Sequence, residues 1–243
     1  MKKFLAIPRT IYWYKYFFVS LALLNKRFNK HIANKANIPI SEYEDLVNNE
    51  ARIWCNKQIK NAGAKINITG EENIPTGAVL FVANHQSSFD IAILFALVDK
   101  NKGFVSKDSI FKIPFLKKWM FELKCISINR KDVKEALKTI LKGIDILKNG
   151  YSLVIFPEGT RSLDGELLPF KAGSFKLATK SKVPIVPITI DGSINILKKG
   201  DPFIYPATVN MTIHPPIFTK DLTKEEQVLL PDQVRNIVAN GFF

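Results

Sequence analysis

A histidine and an aspartate five residues apart, His85 and Asp90, are the side chains of this sequence best suited to chemistry. They follow the apolar run 78–83, which is typical of a strand buried on both faces. On one continuous helix, five residues at about 100° each would turn the two side chains about 140° apart. We therefore predict a turn that brings them together, so that the carboxylate orients the imidazole and leaves its other nitrogen as a general base for a hydroxyl. By spacing alone, a loop histidine beside a capping aspartate, without catalysis, is equally consistent.

The elements around this pair are predicted from the same stretch of sequence. The run 89–97, apolar apart from Asp90, indicates a buried helix with Ser87 or Ser88 as its N-cap. His85 would then lie at the carboxyl end of a strand, where α/β sheets usually place their sites. Asp90 would lie in the first helical turn, where the helix dipole favours the ionised carboxylate.

A second polar stretch, 156–162, also follows an apolar run that predicts a strand. Arg161 offers a planar fork of donors suited to phosphate, and Gly159 lets the backbone approach a ligand closely. Thr160 adds a hydroxyl. Glu158 is an anion, so we expect it to hold Arg161 or to accept from a substrate hydroxyl. The alternative is an ordinary turn with a surface ion pair.

Two further cations, Lys107 and Arg130, come directly after predicted strands. In a doubly wound sheet the strand ends collect at one edge, so these residues should converge there with His85 and the stretch 158–161. A general base beside three cations indicates a phosphorylated substrate whose hydroxyl is activated. Each cation taken alone is more often a solvated surface charge, and their common position after strands is what favours a site.

Composition bounds the class of protein. The 243 residues are 47% hydrophobic with 18 Phe, which excludes a disordered chain and allows one large domain or one domain with an appendage. Its two cysteines have no paired spacing, so neither a disulfide framework nor a zinc cluster is expected. Motifs for nucleotides or metals are also missing from the sequence, and we expect no bound cofactor and no metal.

The N-terminal segment indicates a membrane surface as a partner. The net charge is +13, and residues 1–41 carry eight basic and no acidic residues. Within them the aromatic, apolar run 11–24 is shorter than the roughly 20 residues that a spanning helix needs. We predict a helix in the interface of an anionic membrane, at the cytoplasmic face of the cell membrane. A signal peptide is disfavoured because no small-residue cleavage site follows, and nucleic acid because no binding motif accompanies the charge.

The order of predicted elements gives an α/β fold: a largely parallel or mixed seven-stranded sheet flanked by helices, with an N-terminal two-helix membrane-interface motif. The helical motif covers residues 1–64 and the catalytic domain residues 65–243. The two N-terminal helices meet around Pro39, and a capping box at 41–44 opens the second. Strands are predicted at 66–69, 78–83, 103–106, 126–129, 153–156, 185–190 and 209–213.

Three other segments have specific predictions. Asp132 should cap a helix whose core stripe is 133, 137, 140, 141, 144 and 147. A last helix should begin at Thr223, and Pro231 should break or restart it. In 110–121, large apolar residues and lysines interleave; this favours a segment that rests on lipid or forms a mouth for a fatty chain, and an ordinary surface helix is the alternative.

Four blocks of the sequence resemble the glycerolipid acyltransferase family, and within it the bacterial 1-acyl-glycerol-3-phosphate acyltransferases. They are Asn-His-Gln-Ser-Ser-Phe-Asp at 84–90, Cys-Ile-Ser-Ile-Asn-Arg at 125–130, Phe-Pro-Glu-Gly-Thr-Arg-Ser at 156–162 and Val-Pro-Ile-Val-Pro at 183–187. The resemblance covers roughly residues 70–215, and the N-terminal helix pair looks like the membrane anchor of bacterial members. Asn129 departs from the aspartate that many members carry before the arginine of the second block.

The resemblance implies a reaction. His85, oriented by Asp90, would deprotonate the 2-hydroxyl of lysophosphatidic acid, which attacks the thioester of acyl-CoA or acyl carrier protein to give phosphatidic acid. Gly159, Arg161 and Arg130 would hold the phosphate, and Lys107 is a candidate oxyanion donor. The alternatives are glycerol-3-phosphate or another lysolipid as acceptor, a hydrolase using Ser87 or Ser88, and a non-catalytic peripheral membrane adaptor.

Overall fold

The computed structural model describes residues 2–113, 115–129 and 132–242, and these form the predicted α/β fold. The helices are α1 (Lys2–Asn34), α2 (Ile40–Ala62), α3 (Phe89–Leu97), α4 (Leu116–Glu122), α5 (Val133–Lys148), α6 (Lys176–Ser181) and α7 (Lys224–Ala239). The strands are β1 (Lys65–Thr69), β2 (Leu80–Ala83), β3 (Lys102–Lys107), β4 (Ile126–Ile128), β5 (Ser152–Ile155), β6 (Ile185–Asp191) and β7 (Thr208–Ile213). All seven predicted strands are confirmed, with small changes at their ends.

The strands form one mixed sheet in the order β1-β7-β6-β2-β5-β3-β4. Five neighbouring pairs are parallel, and only β6 and β7 are antiparallel, so β1 and β7 run opposite to the other five strands. Every residue of β2 and of β5 is buried, as their continuous apolar runs predict for central strands covered on both faces.

Helices cover both faces of the sheet and build two hydrophobic cores. One core includes Phe28 of α1, Val47 of α2 and Ile93 of α3, and Trp119 of α4 belongs to it too. The other core contains residues of α5, α6 and α7. The N-terminal helices therefore share a core with the α/β layers, on the side of the sheet opposite to α5–α7.

The topology collects polar segments at one edge of the sheet. β2, β3, β5 and β6 are parallel to one another, so the segments that follow them emerge on the same side. Those segments carry His85, Lys107, Glu158 and Ser193. This common edge is where the site assembles.

The first two helices form an antiparallel hairpin held by polar contacts as well as by packing. Arg9 Nη1 donates to Ala62 O at 3.1 Å, and Trp13 Nε1 donates to Gln58 O at 3.1 Å. Nearer the bend, Trp54 Nε1 donates to Ser20 Oγ at 2.9 Å. The indole and guanidinium donors thus satisfy polar groups between the two helices, which fixes their register.

Three local predictions are wrong. The capping box at 41–44 does not form, because Pro39, in an extended conformation, precedes the first turn and its carbonyl accepts from Tyr43 N at 3.0 Å. Ser41 therefore lies inside α2. Pro231 does not break α7, since buried residues on both sides of it anchor the helix (Leu230, Val234 and Val238). The predicted capping box at Thr223 and Glu226 is confirmed.

The third error concerns the face that α5 buries. Ile144 and Leu147 are buried as predicted, but Leu137 and Leu141 are more than half exposed. The reason lies at two small residues on the buried face. Thr139 donates to Ser127 O at 2.8 Å, and a Cβ at Gly143 would come within 2.5 Å of Leu177 of α6. This close approach turns α5 so that 139, 143 and 147 face inward.

A buried asparagine continues the sheet where the β2 ladder ends, and its removal should destabilise the fold. Asn84 is 1% exposed; its amide donates to Ile190 O at 2.8 Å and accepts from Ile190 N at 2.7 Å. Asn84→Ala leaves both backbone groups of a buried residue unpaired, so we expect a loss of about 2–4 kcal/mol in the free energy of unfolding. Urea titration followed by circular dichroism measures this.

The matched control is Asn67→Ala, which removes an exposed asparagine bonded to Asn210 on the neighbouring strand. Water replaces that partner, so the cost should stay near 0.5 kcal/mol or below. Equal losses for the two variants would show that the Asn84 amide does not hold β2 to β6.

Candidate active site

The turn after β2 brings the histidine and the aspartate together. His85 Nδ1 lies 2.8 Å from Asp90 Oδ2. A carboxylate can only accept, so Nδ1 carries the proton of the neutral ring and Nε2 is left as an acceptor. The imidazole is 16% exposed and the carboxylate is fully buried. This is the geometry of a general base held in one tautomer.

Hydrogen-bond donors surround the buried carboxylate of Asp90. Oδ2 also accepts from Gln86 N at 2.7 Å and from Ser87 N at 2.8 Å. Oδ1 accepts from Ser193 Oγ at 2.5 Å. Four donors from two separate segments of the chain thus replace the water that the carboxylate lost.

The two serines proposed as N-caps have different partners. Ser87 precedes the N-cap residue Ser88; its Oγ accepts from Phe89 N at 3.3 Å and donates to Leu197 O at 2.9 Å, so it ties the start of α3 to a distant loop. Ser88 makes no capping bond and instead accepts from Arg161 Nη1 at 2.8 Å. Neither hydroxyl contacts His85 in a way that would make it a nucleophile.

Phe156 fixes the plane of the imidazole. The rings of His85 and Phe156 stack with centroids 4.0 Å apart and planes 15° from parallel. Phe156 is itself buried. With Asp90 at one ring nitrogen and a phenyl ring against one face, Nε2 is directed into the open cleft.

Glu158 supports the backbone of the base. Oε1 accepts from His85 N at 2.6 Å and Oε2 accepts from Leu168 N at 3.1 Å. The prediction that Glu158 holds Arg161 is therefore wrong, because the arginine turns to Ser88. Burial of this carboxyl raises its pKa from 4.5 to about 7, against the two N–H donors, which lower it.

Besides the ring stacking of Phe156, three hydrogen bonds join the stretch 156–162 to the histidine turn, and two of them involve backbone groups of His85. Glu158 accepts from His85 N, and Ser162 N donates to His85 O at 2.9 Å. The third is the bond between Arg161 and Ser88. The two motifs therefore form one unit that sets the position of the base.

A cleft of about 590 Å³ opens over the histidine, and positive groups line it. Among the predicted residues it exposes His85, Lys107, Gly159, Thr160 and Arg161. Gly159 has φ +75°, a conformation that favours glycine, and its N–H closes the turn by donating to Phe156 O at 3.0 Å. Arg130 lies outside the described residues, and its neighbour Asn129 lines the cleft.

An apolar cavity of about 450 Å³ adjoins the cleft. Ser88, Ile91, Ser106 and Ile110 line both spaces, so one leads into the other. Walls of the cavity come from α1, α2 and α3 and from the segment 110–123. The described residues of the segment 110–121 thus supply part of the cavity wall, and a role as a mouth for a fatty chain stays a prediction. Trp119, stacked on Phe28 at 3.8 Å, anchors the segment to α1.

Two residues of the site escaped sequence reasoning. Ser193 contacts Asp90, and Lys199 lines the cleft and donates to Thr160 Oγ1 at 3.1 Å. Ser193 comes two residues after β6, so the rule that selected the other strand ends could have found it. Lys199 lies eight residues beyond the strand in an irregular loop, and no pattern in the sequence indicates it.

Known proteins are similar to this chain in sequence and in fold. A family model described as Acyltransferase matches residues 65–191, which are 127 of the 243 residues. The crystal structure of the 1-acyl-sn-glycerophosphate acyltransferase PlsC of Thermotoga maritima superposes with a TM-score of 0.85 at 28% identity, covering 99% of this chain and 96% of that one.

Curated relatives are similar over most of the chain. A 1-acyl-sn-glycerol-3-phosphate acyltransferase of Saccharomyces cerevisiae is 31% identical over 95% of this chain and 77% of its own length. One of Borreliella burgdorferi is 32% identical over 72% of this chain and 70% of its own length. A chloroplastic relative of Brassica napus is 36% identical over 79% of this chain. The chain spans about half the length of the plant relatives it matches, 54% for Brassica napus and 47% for Arabidopsis thaliana.

Fold and site together define an α/β protein in which a histidine held by an aspartate lies between a cleft and an apolar cavity. Sequence and structural similarity then agree on the family. The chain belongs to the acyltransferase family.

The raised pKa of Glu158 predicts a pH-dependent stability difference. Between pH 4.5 and about 7 the folded chain binds more protons at this carboxyl than the unfolded chain, so its contribution to the free energy of unfolding falls as pH rises through that range. Glu158→Gln cannot titrate. The stability of the natural protein minus that of the variant should therefore decrease from pH 4.5 to 7, by about 3 kcal/mol at most.

Urea unfolding at a series of pH values measures the difference. Glu166→Gln, which changes an exposed glutamate of the same loop, is the control and should give a flat difference. A flat difference for Glu158→Gln as well would mean that this carboxyl is ionised in the folded state throughout that range.

Proposed function

We propose that this chain transfers a fatty acyl group from an acyl thioester to the 2-hydroxyl of 1-acyl-glycerol-3-phosphate, giving phosphatidic acid. One observation carries the proposal. The Asp90-oriented imidazole lies where a cleft lined by cations adjoins an apolar cavity. Such a site suits a substrate with a phosphate, a hydroxyl and hydrocarbon chains. The names of the curated relatives support the same acceptor.

The chemistry follows from the free Nε2 of His85. This nitrogen takes the proton of the 2-hydroxyl as the oxygen attacks the thioester carbonyl. Asp90 stabilises the imidazolium that forms and does not itself take the proton. When the tetrahedral intermediate collapses, the C–S bond breaks and the imidazolium returns the proton to the leaving thiolate. The base is regenerated and no acyl-enzyme is required.

Cations in the cleft would hold the phosphate and the developing oxyanion. Arg161 offers planar donors to phosphate, and the buried turn at Gly159 allows its close approach. Lys107 is exposed at the end of β3 and is the candidate donor to the oxyanion. Arg130 would add a further cation, as the family resemblance implies.

The apolar cavity would hold a hydrocarbon chain next to the reacting atoms. The cavity lies between α1–α3 and the segment 110–123, so the hydrocarbon chain would enter it from the surface formed by the N-terminal helices. Acyl-CoA and acyl carrier protein both present a suitable thioester. A non-catalytic membrane adaptor would not require a buried aspartate that accepts four hydrogen bonds, one of them from a histidine.

The exposed side of α1 would place the enzyme on an anionic membrane at the cytoplasmic face of the cell membrane. Large apolar side chains remain exposed along it: Phe4, Leu5, Ile11, Tyr12, Phe18, Val19 and Leu23. Lysines lie among and beyond them, and each contributes on the order of 1 kcal/mol near anionic lipid. Among the described residues, no helix combines the length and the apolar character that crossing a bilayer requires.

Removal of the proposed base should strongly reduce the rate of acyl transfer. We expect His85→Ala to lower kcat for acyl transfer to 1-acyl-glycerol-3-phosphate by about 10²- to 10⁴-fold, because general-base catalysis contributes that much. The assay uses purified protein with acyl-CoA and with acyl carrier protein, and a panel of acceptors that includes glycerol-3-phosphate and neutral lysolipids.

His214→Ala is the matched control. This histidine contacts Thr189 and does not line the cleft. The turnover of the variant should therefore stay within about threefold of that of the natural protein. Full activity of His85→Ala would reject general-base catalysis by this residue. If the protein prefers another acceptor, the proposed mechanism stands, and that acceptor takes the place of lysophosphatidic acid in the proposal.

Charges on the exposed face of α1 should release the protein from lipid. Ile11→Glu with Leu23→Glu replaces two side chains that are each about 60% exposed and do not line the apolar cavity. Each substitution removes an apolar side chain that would be buried in the membrane interface, so vesicle binding should fall at least tenfold. Flotation with vesicles of phosphatidylglycerol and phosphatidylcholine measures the bound fraction.

The control is Val228→Glu with Leu229→Glu, an equally exposed apolar pair on α7 across the sheet. Its binding should equal that of the natural protein. If both double variants lose binding alike, the α1 face is not the membrane contact.

A further inference from the structure

The loop after β6 contacts each part of the site, although no recognised motif covers it. Ser193 donates to Asp90 at 2.5 Å, and Leu197 O accepts from Ser87 Oγ at 2.9 Å. Lys199 Nζ donates to Thr160 Oγ1 at 3.1 Å and to Arg161 O at 3.2 Å. The segment 193–199 therefore runs from the buried carboxylate, past the apolar cavity that Leu197 lines, to the cationic cleft.

The ammonium of Lys199 is held at the cleft by neutral acceptors. A hydroxyl and a backbone carbonyl take two of its three donors, which leaves the third for a ligand within the described surroundings. These neutral partners do not cancel its positive charge. A phosphate oxygen would make a stronger, charge-assisted bond with the same group.

The position of Lys199 complements that of Arg161. In the described chain the guanidinium donates to Ser88, on the histidine side of the cleft. The lysine is bound to the backbone and to the hydroxyl of the same turn, 160–161, so the two cations bracket that turn. Between them they present positive charge from two directions to an anion bound at Gly159.

We infer that Lys199 is a phosphate ligand and makes the enzyme select acceptors that carry a phosphate. The inference rests on the proposed function and adds a specificity-determining residue to it. Lys199 would contribute to binding of the phosphomonoester in the ground state as much as in the transition state. Its loss should therefore raise KM and leave kcat nearly unchanged.

The test compares Lys199→Met with Lys198→Met, a neighbouring exposed lysine that does not line the cleft. Steady-state rates are measured with 1-acyl-glycerol-3-phosphate and with 1-acyl-glycerol, which lacks the phosphate. For Lys199→Met we expect KM for the phosphorylated acceptor to rise about 10- to 100-fold, the loss of one charged hydrogen bond. The rate with 1-acyl-glycerol and the KM for the thioester should not change. Lys198→Met should match the natural protein, and Lys199→Arg should recover most of the affinity.

Three results would overturn the inference. An equal fall in kcat for both acceptors would show that Lys199 only supports the turn at 160–161. A rise in KM for acyl-CoA instead of the acceptor would place it on the donor's phosphates. Unchanged kinetics would show that it contacts no substrate. If the natural protein transfers no acyl group, the proposed function fails, and calorimetric binding of 1-acyl-glycerol-3-phosphate to the natural protein and to Lys199→Met still decides the role of Lys199.

Discussion

The site depends on a carboxylate removed from water. Asp90 has no exposed surface, and an uncompensated charge there would be too costly to keep. Its four donors come from the turn after β2 and from the loop after β6, so the aspartate joins two neighbouring strands at the edge where they end. One of these four donors is the imidazole of His85. The requirement to satisfy a buried charge is therefore also what orients this imidazole.

His85 is positioned through its backbone as well as its ring. Glu158 binds the amide of His85, Ser162 binds its carbonyl, and Phe156 stacks on the imidazole. All three come from the strand and turn adjacent to β2 in the sheet. Parallel pairing of β2 and β5 thus places two motifs about 70 residues apart in the sequence at hydrogen-bonding distance, and neither segment could hold the histidine alone.

Two contrasting environments meet beside that histidine. The cleft carries charged and hydrogen-bonding groups from the strand ends, whereas the cavity is walled by aromatic and aliphatic side chains of α1, α2, α3 and the segment 110–123. The N-terminal hairpin therefore has two faces with different tasks. Its inner face completes the apolar cavity, and its outer face leaves aromatic and aliphatic residues exposed beside lysines. A substrate that is both anionic and hydrocarbon fits such a boundary.

The sequence by itself determined the fold class, the seven strands and most of the site, because buried strands and the polar residues at their ends leave a local pattern. His85, Asp90, Lys107 and the stretch 158–161 could all be chosen by that rule. Only the tertiary structure decided the partner of Glu158, the face of α5 that is buried, and the presence of Lys199 at the site. Each of these results from contacts between segments far apart in the chain, such as Gly143 against Leu177. Local periodicity and spacing carry no information about which distant group fills a given space or satisfies a given buried donor.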